Sequence, residues 1–130
     1  MKKKILLIAI LLCIFLFVAY KYIYADHRNI SDEQPTYSLL ATELIEAYTT
    51  NAEDAETKYL DKVVEITGQA SQINIKESNI ALNEMIFAYI TSTNQLDGIQ
   101  VNQLVKIKGR IIGYDEIMNE IKMDQCEILP

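Results

Sequence analysis

The chain has 130 residues, of which 50% are apolar and 23% are charged, and its formal net charge at pH 7 is −6. This length suits one compact domain with a small appendage. The apolar content excludes a disordered chain, and the four glycines and two prolines are too few for a collagen-like or low-complexity sequence.

The first 25 residues form an apolar segment with a basic start. Lys2, Lys3 and Lys4 precede an uninterrupted apolar run over residues 5–20, and Lys21 is the one charge between that run and residue 25. A helix of about 20 such residues crosses the hydrocarbon core of a bilayer. Because flanking lysines favour the cytoplasmic side, we predict a single-pass protein anchored through residues 5–25, with a cytoplasmic N-terminus and an extracytoplasmic C-terminal domain.

Two other interpretations of residues 1–25 remain open. A cleaved signal peptide could end at Ala25, although Ile23 is bulky where a small residue is preferred. A lipoprotein signal would use Cys13, although Leu12 precedes it and the apolar run continues beyond it. All three interpretations place the remainder of the chain outside the cytoplasm.

The charge of the remainder argues against nucleic acid as a partner. Residues 26–130 contain eight basic and all eighteen acidic residues, which gives them a net charge of −10. Nucleic-acid affinity depends largely on clustered Lys and Arg, so a domain of this charge repels phosphate backbones. The two cysteines, Cys13 and Cys126, lie in the apolar segment and near the C-terminus, so we expect no disulfide within the domain.

Polarity and periodicity divide residues 26–130 further. Residues 26–35 are polar, aperiodic and end in Pro35, which predicts a tether between the anchor and a domain over residues 36–130. Apolar residues then recur at helical spacing from Tyr37 to Tyr59. We predict a helix with Thr36 as its N-cap that runs to about Asn51, followed by a second helix or a continuation to Tyr59.

From Val63 the apolar period changes to two, which is typical of strands. The first strand runs from Val63 to about Ile75, and four more cover residues 79–83, 85–91, 104–114 and 120–129. The phase slips within the first and last strands, which predicts bulges that bend them. A shared V-x-I-x-G pattern ends at Gly68 and Gly109, where the missing side chain permits close approach of a neighbouring strand. We therefore predict a mainly β fold with an N-terminal helix, a five-stranded OB-fold barrel preceded by a transmembrane helix.

The stretch from about Tyr48 to Ile128 resembles the tRNA_anti-like family, small bacterial OB-fold proteins that often carry a lipoprotein or membrane segment. Two blocks carry the resemblance: Tyr48, Asn51, Ala55, Lys58, Tyr59, Lys62, Val63, Val64, Ile66 and Gly68, then Leu104, Val105, Ile107, Gly109, Met123, Asp124, Cys126, Glu127 and Ile128. The family name implies tRNA binding. Some members have a cysteine in the third strand that could meet the C-terminal one, but here that strand reads Met-Ile-Phe-Ala-Tyr-Ile over residues 85–90.

Two groups of residues are candidates for binding. If Ile86, Ala88 and Ile90 face the core, Phe87 and Tyr89 point outward on the usual ligand face of an OB barrel as a stacking platform. The alternatives are that the N-terminal helix covers this pair or that the strand phase is reversed.

The second group, Lys106, Lys108 and Arg110, shares one face of the fourth strand and could contact phosphates weakly. Alternatively, these residues form a solvent-exposed face whose positive charge is balanced by Glu65 and other carboxylates.

The sequence gives little support to catalysis. The single histidine, His27, lies in the predicted tether, and we find no phosphate-binding loop, dinucleotide turn or nucleophile elbow. We assign no metal, no cofactor and no enzymatic activity, and we expect Tyr48, Asn51 and Tyr59 to pack the helix on the barrel.

The resulting prediction is a membrane-anchored, extracytoplasmic, non-catalytic binding or assembly module, directed to envelope protein or carbohydrate. The alternative is a single-stranded nucleic-acid binder that faces the cytoplasm. The sequence carries no sign of an oligomeric state.

Overall fold

Three helices and six strands account for most of the described chain, which comprises residues 1–24 and 28–130 of a computed structural model. In chain order they are α1 (Lys2–Ile23), β1 (Tyr37–Leu40), α2 (Ala41–Thr50), α3 (Ala52–Tyr59), β2 (Val63–Asn74), β3 (Asn79–Leu82), β4 (Ile86–Ile90), β5 (Leu104–Asp115) and β6 (Glu120–Leu129). Two short 3-10 turns cover Ile30–Asp32 and Thr93–Leu96.

Strands β2 to β6 close into a barrel. They are hydrogen-bonded in the order β2-β3-β4-β6-β5, and β5 pairs with β2 to complete the ring. The β4–β6 pair is parallel and the other barrel pairs are antiparallel. This is the connectivity of an OB fold, so the predicted five-stranded OB barrel is confirmed, and each barrel strand begins within one residue of its predicted start.

The bends of the barrel come from the predicted irregularities. The β2–β3 register shifts between Ala70 and Gln72, and the β5–β6 register shifts between Lys108 and Arg110. In β6 the extra residue is Gln125, whose φ of 48° lies in the left-handed region that one class of bulge uses. Both phase slips seen in the sequence are therefore bulges, as predicted.

Gly68 and Gly109 lie where the barrel wall is tightest. A Cβ atom on Gly68 would stand 2.7 Å from the Cβ of Ala41, and one on Gly109 would overlap the Sγ of Cys126. At Gly109 the close approach is to the neighbouring strand β6, as predicted, whereas at Gly68 the nearest atom belongs to the start of α2.

The predicted start of the first helix is wrong. Residues Tyr37–Leu40 form β1, which pairs in parallel with β2 from Val64 to Thr67, and α2 begins only at Ala41. The carboxylate of Glu43 accepts a hydrogen bond from the Leu40 N–H at 2.7 Å and so caps the first turn of α2. The physical reason is an open strand edge: β3 pairs only with the second half of β2, and β1 supplies the partner for the first half.

The break between the two short helices lies at Asn51, close to the predicted position. Its Oδ1 accepts a hydrogen bond from the Asp54 N–H at 3.2 Å, which caps α3, while its own N–H bonds to Ala47 at the end of α2. Asn51 is exposed, so its predicted packing against the barrel is wrong and its role is to cap the helix.

The helices pack on the barrel through tyrosines. Tyr48 and Tyr59 are 1% and 5% exposed, and the Tyr48 ring lies 5.1 Å from that of Tyr114 in β5. These two predicted packing roles are confirmed. The Tyr48 hydroxyl has no hydrogen-bond partner among the described residues, and burial raises its pKa to about 12.

Residues 28–35, which the sequence analysis assigned to a tether, pack against the barrel. Ile30 is completely buried, and its short helical turn contacts β5 and β6. The Lys108 ammonium donates to the Ser31 and Glu33 carbonyls at 2.7 and 3.2 Å. We call residues 28–35 the strap. Residues 25–27, which include the candidate cleavage site Ala25 and the incidental His27, lie outside the described residues.

Helix α1 contains 22 residues and is exposed along its length. Within the described part of the chain it is the one helix long and apolar enough to cross a membrane.

Candidate ligand-binding face

Strand β4 alternates between the barrel core and the outer surface in the predicted phase. Ile86, Ala88 and Ile90 are buried, whereas Phe87 is half-buried and Tyr89 is 43% exposed. The helices do not cover this pair, because α2 packs on β1 and β2 and α3 packs on β5. Both aromatic side chains therefore reach the outer face of the barrel.

Amide side chains extend the face on which these rings lie. Strand pairing puts Asn79 of β3 opposite Tyr89, and Asn74 of β2 opposite Asn79. In the next row Ala81 stands opposite Phe87, and Gln72 opposite Ala81. Directly paired residues share one face of a sheet, so these groups form a single surface. We call it the aromatic face; its members are Gln72, Asn74, Asn79, Ala81, Phe87, Tyr89 and Lys122, which pairs with Phe87 on β6.

The turn between β2 and β3 fixes one end of the aromatic face. The Asn74 Oδ1 accepts a hydrogen bond from the Glu77 N–H at 3.2 Å, and Asn79 Nδ2 donates to the Glu77 carboxylate at 3.2 Å. Asn79 is only 8% exposed, so its amide is held in place. Residues two apart on a strand are separated by about 7 Å, so Phe87 and Tyr89 place two rings side by side on this face.

The three basic residues of β5 are engaged within the protein. The Lys106 ammonium lies 3.3 Å from the Glu65 carboxylate, and Lys108 binds the carbonyls of the strap. Arg110 makes a two-pronged contact with Asp124 at 2.9 and 2.7 Å, a hydrogen-bonded pairing that raises the pKa of the guanidinium. The structure thus places Lys108 against the strap and pairs Lys106 and Arg110 with carboxylates of the domain, and it does not join the trio to Phe87 and Tyr89.

Sequence reasoning missed the amides of the aromatic face. The signal was available, because Gln72 and Asn74 occupy alternate positions after the bulge and Asn79 begins the next strand. Pairing the predicted strands residue by residue would have put Asn79 opposite Tyr89, and Gln72 and Asn74 opposite the β3 residues that pair with the aromatic strand. The bulge at Ala70 and Gln72 reverses the phase there, and its position had to be known first.

No group of three or more His, Cys, Asp or Glu side chains suited to a metal ion occurs within residues 1–24 and 28–130. Both cysteines are free, and Cys126 is completely buried, which raises the pKa of its thiol. A buried thiol of raised pKa is a poor nucleophile, so Cys126 serves as a packing residue against Gly109.

Comparison with known proteins agrees with this geometry. A family model described as tRNA_anti-like matches residues 1–125. The fold is similar to the crystal structure of a "putative nucleic acid-binding lipoprotein" from Klebsiella pneumoniae, with a TM-score of 0.55 and 12% sequence identity over 72% of this chain and 91% of that one. Comparison with curated proteins gives no match. At this identity the likeness to the solved structure concerns the fold alone.

Proposed function

The chain belongs to the tRNA_anti-like family, and we propose that it is a membrane-anchored, extracytoplasmic OB-fold protein whose aromatic face binds a ligand without catalysing a reaction. The observation that carries the proposal is the composition of that face: two outward aromatic rings beside three amide side chains, on the barrel strands where OB folds bind oligonucleotides and oligosaccharides.

Envelope carbohydrate is the ligand class that this chemistry fits best. Aromatic rings offer an apolar surface to the ring faces of a sugar, and the exposed amide of Gln72 offers donors and acceptors to its hydroxyl groups. Neither interaction requires a positive surface, which suits a domain with a net charge of −10 over residues 26–130. A protein ligand is less well suited, because a stable interface needs about 1,000 Å² of buried surface and two rings supply a small part of that.

The anchor rests on α1 and on the charges around it. The helix is 22 residues long, and Lys2, Lys3 and Lys4 begin it. An apolar helix of this length spans a bilayer, and the lysines favour a cytoplasmic N-terminus. The domain that follows is then outside the cytoplasm, where envelope glycans are found and nucleic acid is scarce.

Single-stranded nucleic acid is the second candidate. The family name points to it, bases stack on aromatic rings as sugars do, and the Klebsiella protein carries the words "nucleic acid-binding". Against it stand the internal pairing of Lys106, Lys108 and Arg110 and the strong negative charge. Binding that required the trio would have to break the ion pairs of Lys106 and Arg110 and, at Lys108, the contacts that hold the strap.

A binding experiment with paired probes tests the proposal. The full chain in detergent micelles is titrated with an N-acetylglucosamine tetramer and, separately, with a thymidine decanucleotide. We expect the sugar to bind and Tyr89→Ala to weaken that binding about tenfold, an effect of the size of one lost stacking contact. Tyr89→Phe keeps the ring and should bind nearly as the parent does.

Leu104→Ala is the matched control, because Leu104 is 70% exposed but lies on β5, away from the aromatic face. Equal affinity of Tyr89→Ala and Leu104→Ala for the sugar would refute the role of the face. Oligonucleotide binding that is lost in Lys106→Ala and Lys108→Ala would favour the second candidate.

A further inference from the structure

The turn between β5 and β6 exposes two adjacent apolar side chains. Ile117 is 95% exposed and Met118 is 63% exposed. The turn itself is well ordered: the Asp115 Oδ1 accepts hydrogen bonds from the N–H groups of both residues at 3.0 Å, and the Tyr114 hydroxyl donates to the Asn119 side chain. The backbone therefore holds Ile117 and Met118 toward the surroundings and not toward the barrel core.

This apolar surface continues along β5. Ile112 is 43% exposed and lines, together with Ile117, one open concavity of about 500 Å³. Gly113 lies between them in the chain and adds no side chain. We call Ile112, Ile117 and Met118 the apolar tip.

Contacts of Arg28 in the strap bring Ile112, the β5 end of the apolar tip, close to the end of α1. The Arg28 guanidinium donates to the Asp61 carbonyl at 2.9 Å, and the Asp61 N–H donates to the Ile111 carbonyl at 2.8 Å, next to Ile112. Only four residue steps separate Tyr24, just after α1, from Arg28. Such a segment spans at most about 14 Å. If α1 lies in a bilayer, this short connection keeps the Ile112 end of β5 near the bilayer surface.

Two of the three carboxylates nearest the apolar tip are partly balanced. The Asp115 carboxylate is occupied by the turn and lies 4.0 Å from the Lys122 ammonium, and Glu120 lies 3.9 Å from the same ammonium. Glu116, beside Ile117, is exposed and would stay at the level of the lipid headgroups, because a charge in the hydrocarbon core is costly. A second copy of the chain is a weaker occupant, because three side chains fall well short of the roughly 800 Å² per partner that stable interfaces bury.

We propose that the apolar tip inserts into the bilayer that holds α1, so that the domain contacts the membrane at two points. This inference rests on the proposed anchor. The helix alone would let the domain rotate about a single connection, whereas a second contact fixes the orientation of the barrel and presents the aromatic face at a constant height above the lipid.

Tryptophan fluorescence tests the insertion directly, because the native chain has no tryptophan. Three full-length variants, Ile117→Trp, Leu104→Trp and Phe15→Trp, are reconstituted into phosphatidylcholine vesicles with and without brominated acyl chains, which quench a tryptophan that lies among them. Leu104 is the matched control: it is 70% exposed and stands eight residues before Ile112 on β5, about 26 Å along the strand. Phe15 lies within α1 and reports on the anchor.

We expect bromine to reduce the emission of Ile117→Trp and Phe15→Trp at least twofold and that of Leu104→Trp by much less.

Quenching of Phe15→Trp without quenching of Ile117→Trp would overturn the inference while the anchor stands. An unquenched but blue-shifted Ile117→Trp would also overturn it, because the tip would then be buried against protein. An unquenched Phe15→Trp would refute the anchor itself, and the inference with it. Met118→Trp should repeat the result for Ile117→Trp, and neither change touches the core.

Discussion

The closure of the barrel depends on single residues without side chains. Gly109 lies on β5 close against the neighbouring strand β6. A Cβ atom there would overlap the Sγ of Cys126 and lie 3.1 Å from the Asp124 carbonyl oxygen. Gly113, four residues later on the same strand, has nothing within 4 Å of the corresponding position. Alanine at Gly109 or at Gly113 removes a glycine in both cases, but it crowds a neighbouring strand only at Gly109.

We expect Gly109→Ala to lower the free energy of unfolding by about 1–3 kcal/mol, the usual cost of overpacking a core. Gly113→Ala should change it far less, because its Cβ meets open space. Urea denaturation of both variants measures the difference. Adding Cys126→Ala to Gly109→Ala removes the overlapping sulfur and should recover part of the loss. Equal stability of Gly109→Ala and Gly113→Ala would contradict the close approach of β6 to β5 at Gly109.

At the scale of elements, the strap is the least expected part of the fold. It contains one apolar residue with full burial, Ile30, in a polar stretch that otherwise reads as a linker. Ion pairs of Arg28 with Glu33 and Asp61 frame it, and the pairing with Arg28 lowers the pKa of the Glu33 carboxyl. These contacts are exposed and contribute little each, so the buried isoleucine is the main attachment.

Replacement of Ile30 by alanine tests this attachment. A fully buried Ile→Ala change costs about 2–5 kcal/mol, so we expect Ile30→Ala to reduce the free energy of unfolding by an amount in that range. Ile75→Ala is the control, because Ile75 is 54% exposed at the end of β2. Chemical denaturation of the full chain gives both values. If Ile30→Ala matched Ile75→Ala, the strap would behave as a free tether.

The barrel strands β2 to β6 were predictable from the sequence, whereas β1 and the strap were not, for a physical reason. The alternation of apolar and polar residues predicts β2 to β6. It left the phase of β4 open, and the burial of Ile86, Ala88 and Ile90 shows that Phe87 and Tyr89 point outward. Tyr37 and Leu40 fit a helical pattern equally well, and their strand conformation depends on an open edge of β2, which lies 27 residues away at the Tyr37–Val64 pair. Ile30 likewise becomes a core residue only once β5 and β6 provide its site.

The candidate site was predicted in the same uneven way. The balance of Lys106 by Glu65 is as expected from strand pairing, and of the alternatives left open for Phe87 and Tyr89 the structure shows the outward one. The carbonyl partners of Lys108 lie in the strap, 77 and 75 residues away in the chain, so periodicity could not reveal them. The amides of the aromatic face required the position of a bulge.

For the whole molecule, the net charge of −6 conceals a strong asymmetry. All eighteen acidic residues follow residue 25, and four of the twelve basic residues precede it, so an apolar basic segment joins a domain with a net charge of −10. This division supports an orientation with lysines in the cytoplasm and the acidic domain outside, and it weakens the case for a nucleic-acid ligand. The account therefore depends on where the domain lies.

Cysteine accessibility tests that location most directly. Cys126 is completely buried and Cys13 lies within α1, so a membrane-impermeant maleimide should report mainly on cysteines introduced elsewhere. Two full-length variants, Leu104→Cys at the exposed start of β5, away from the apolar tip, and Lys3→Cys before the apolar run, are treated in intact spheroplasts and after lysis. The account predicts that Leu104→Cys is labelled in both and Lys3→Cys only after lysis. Labelling of Lys3→Cys but not Leu104→Cys in intact spheroplasts would contradict it.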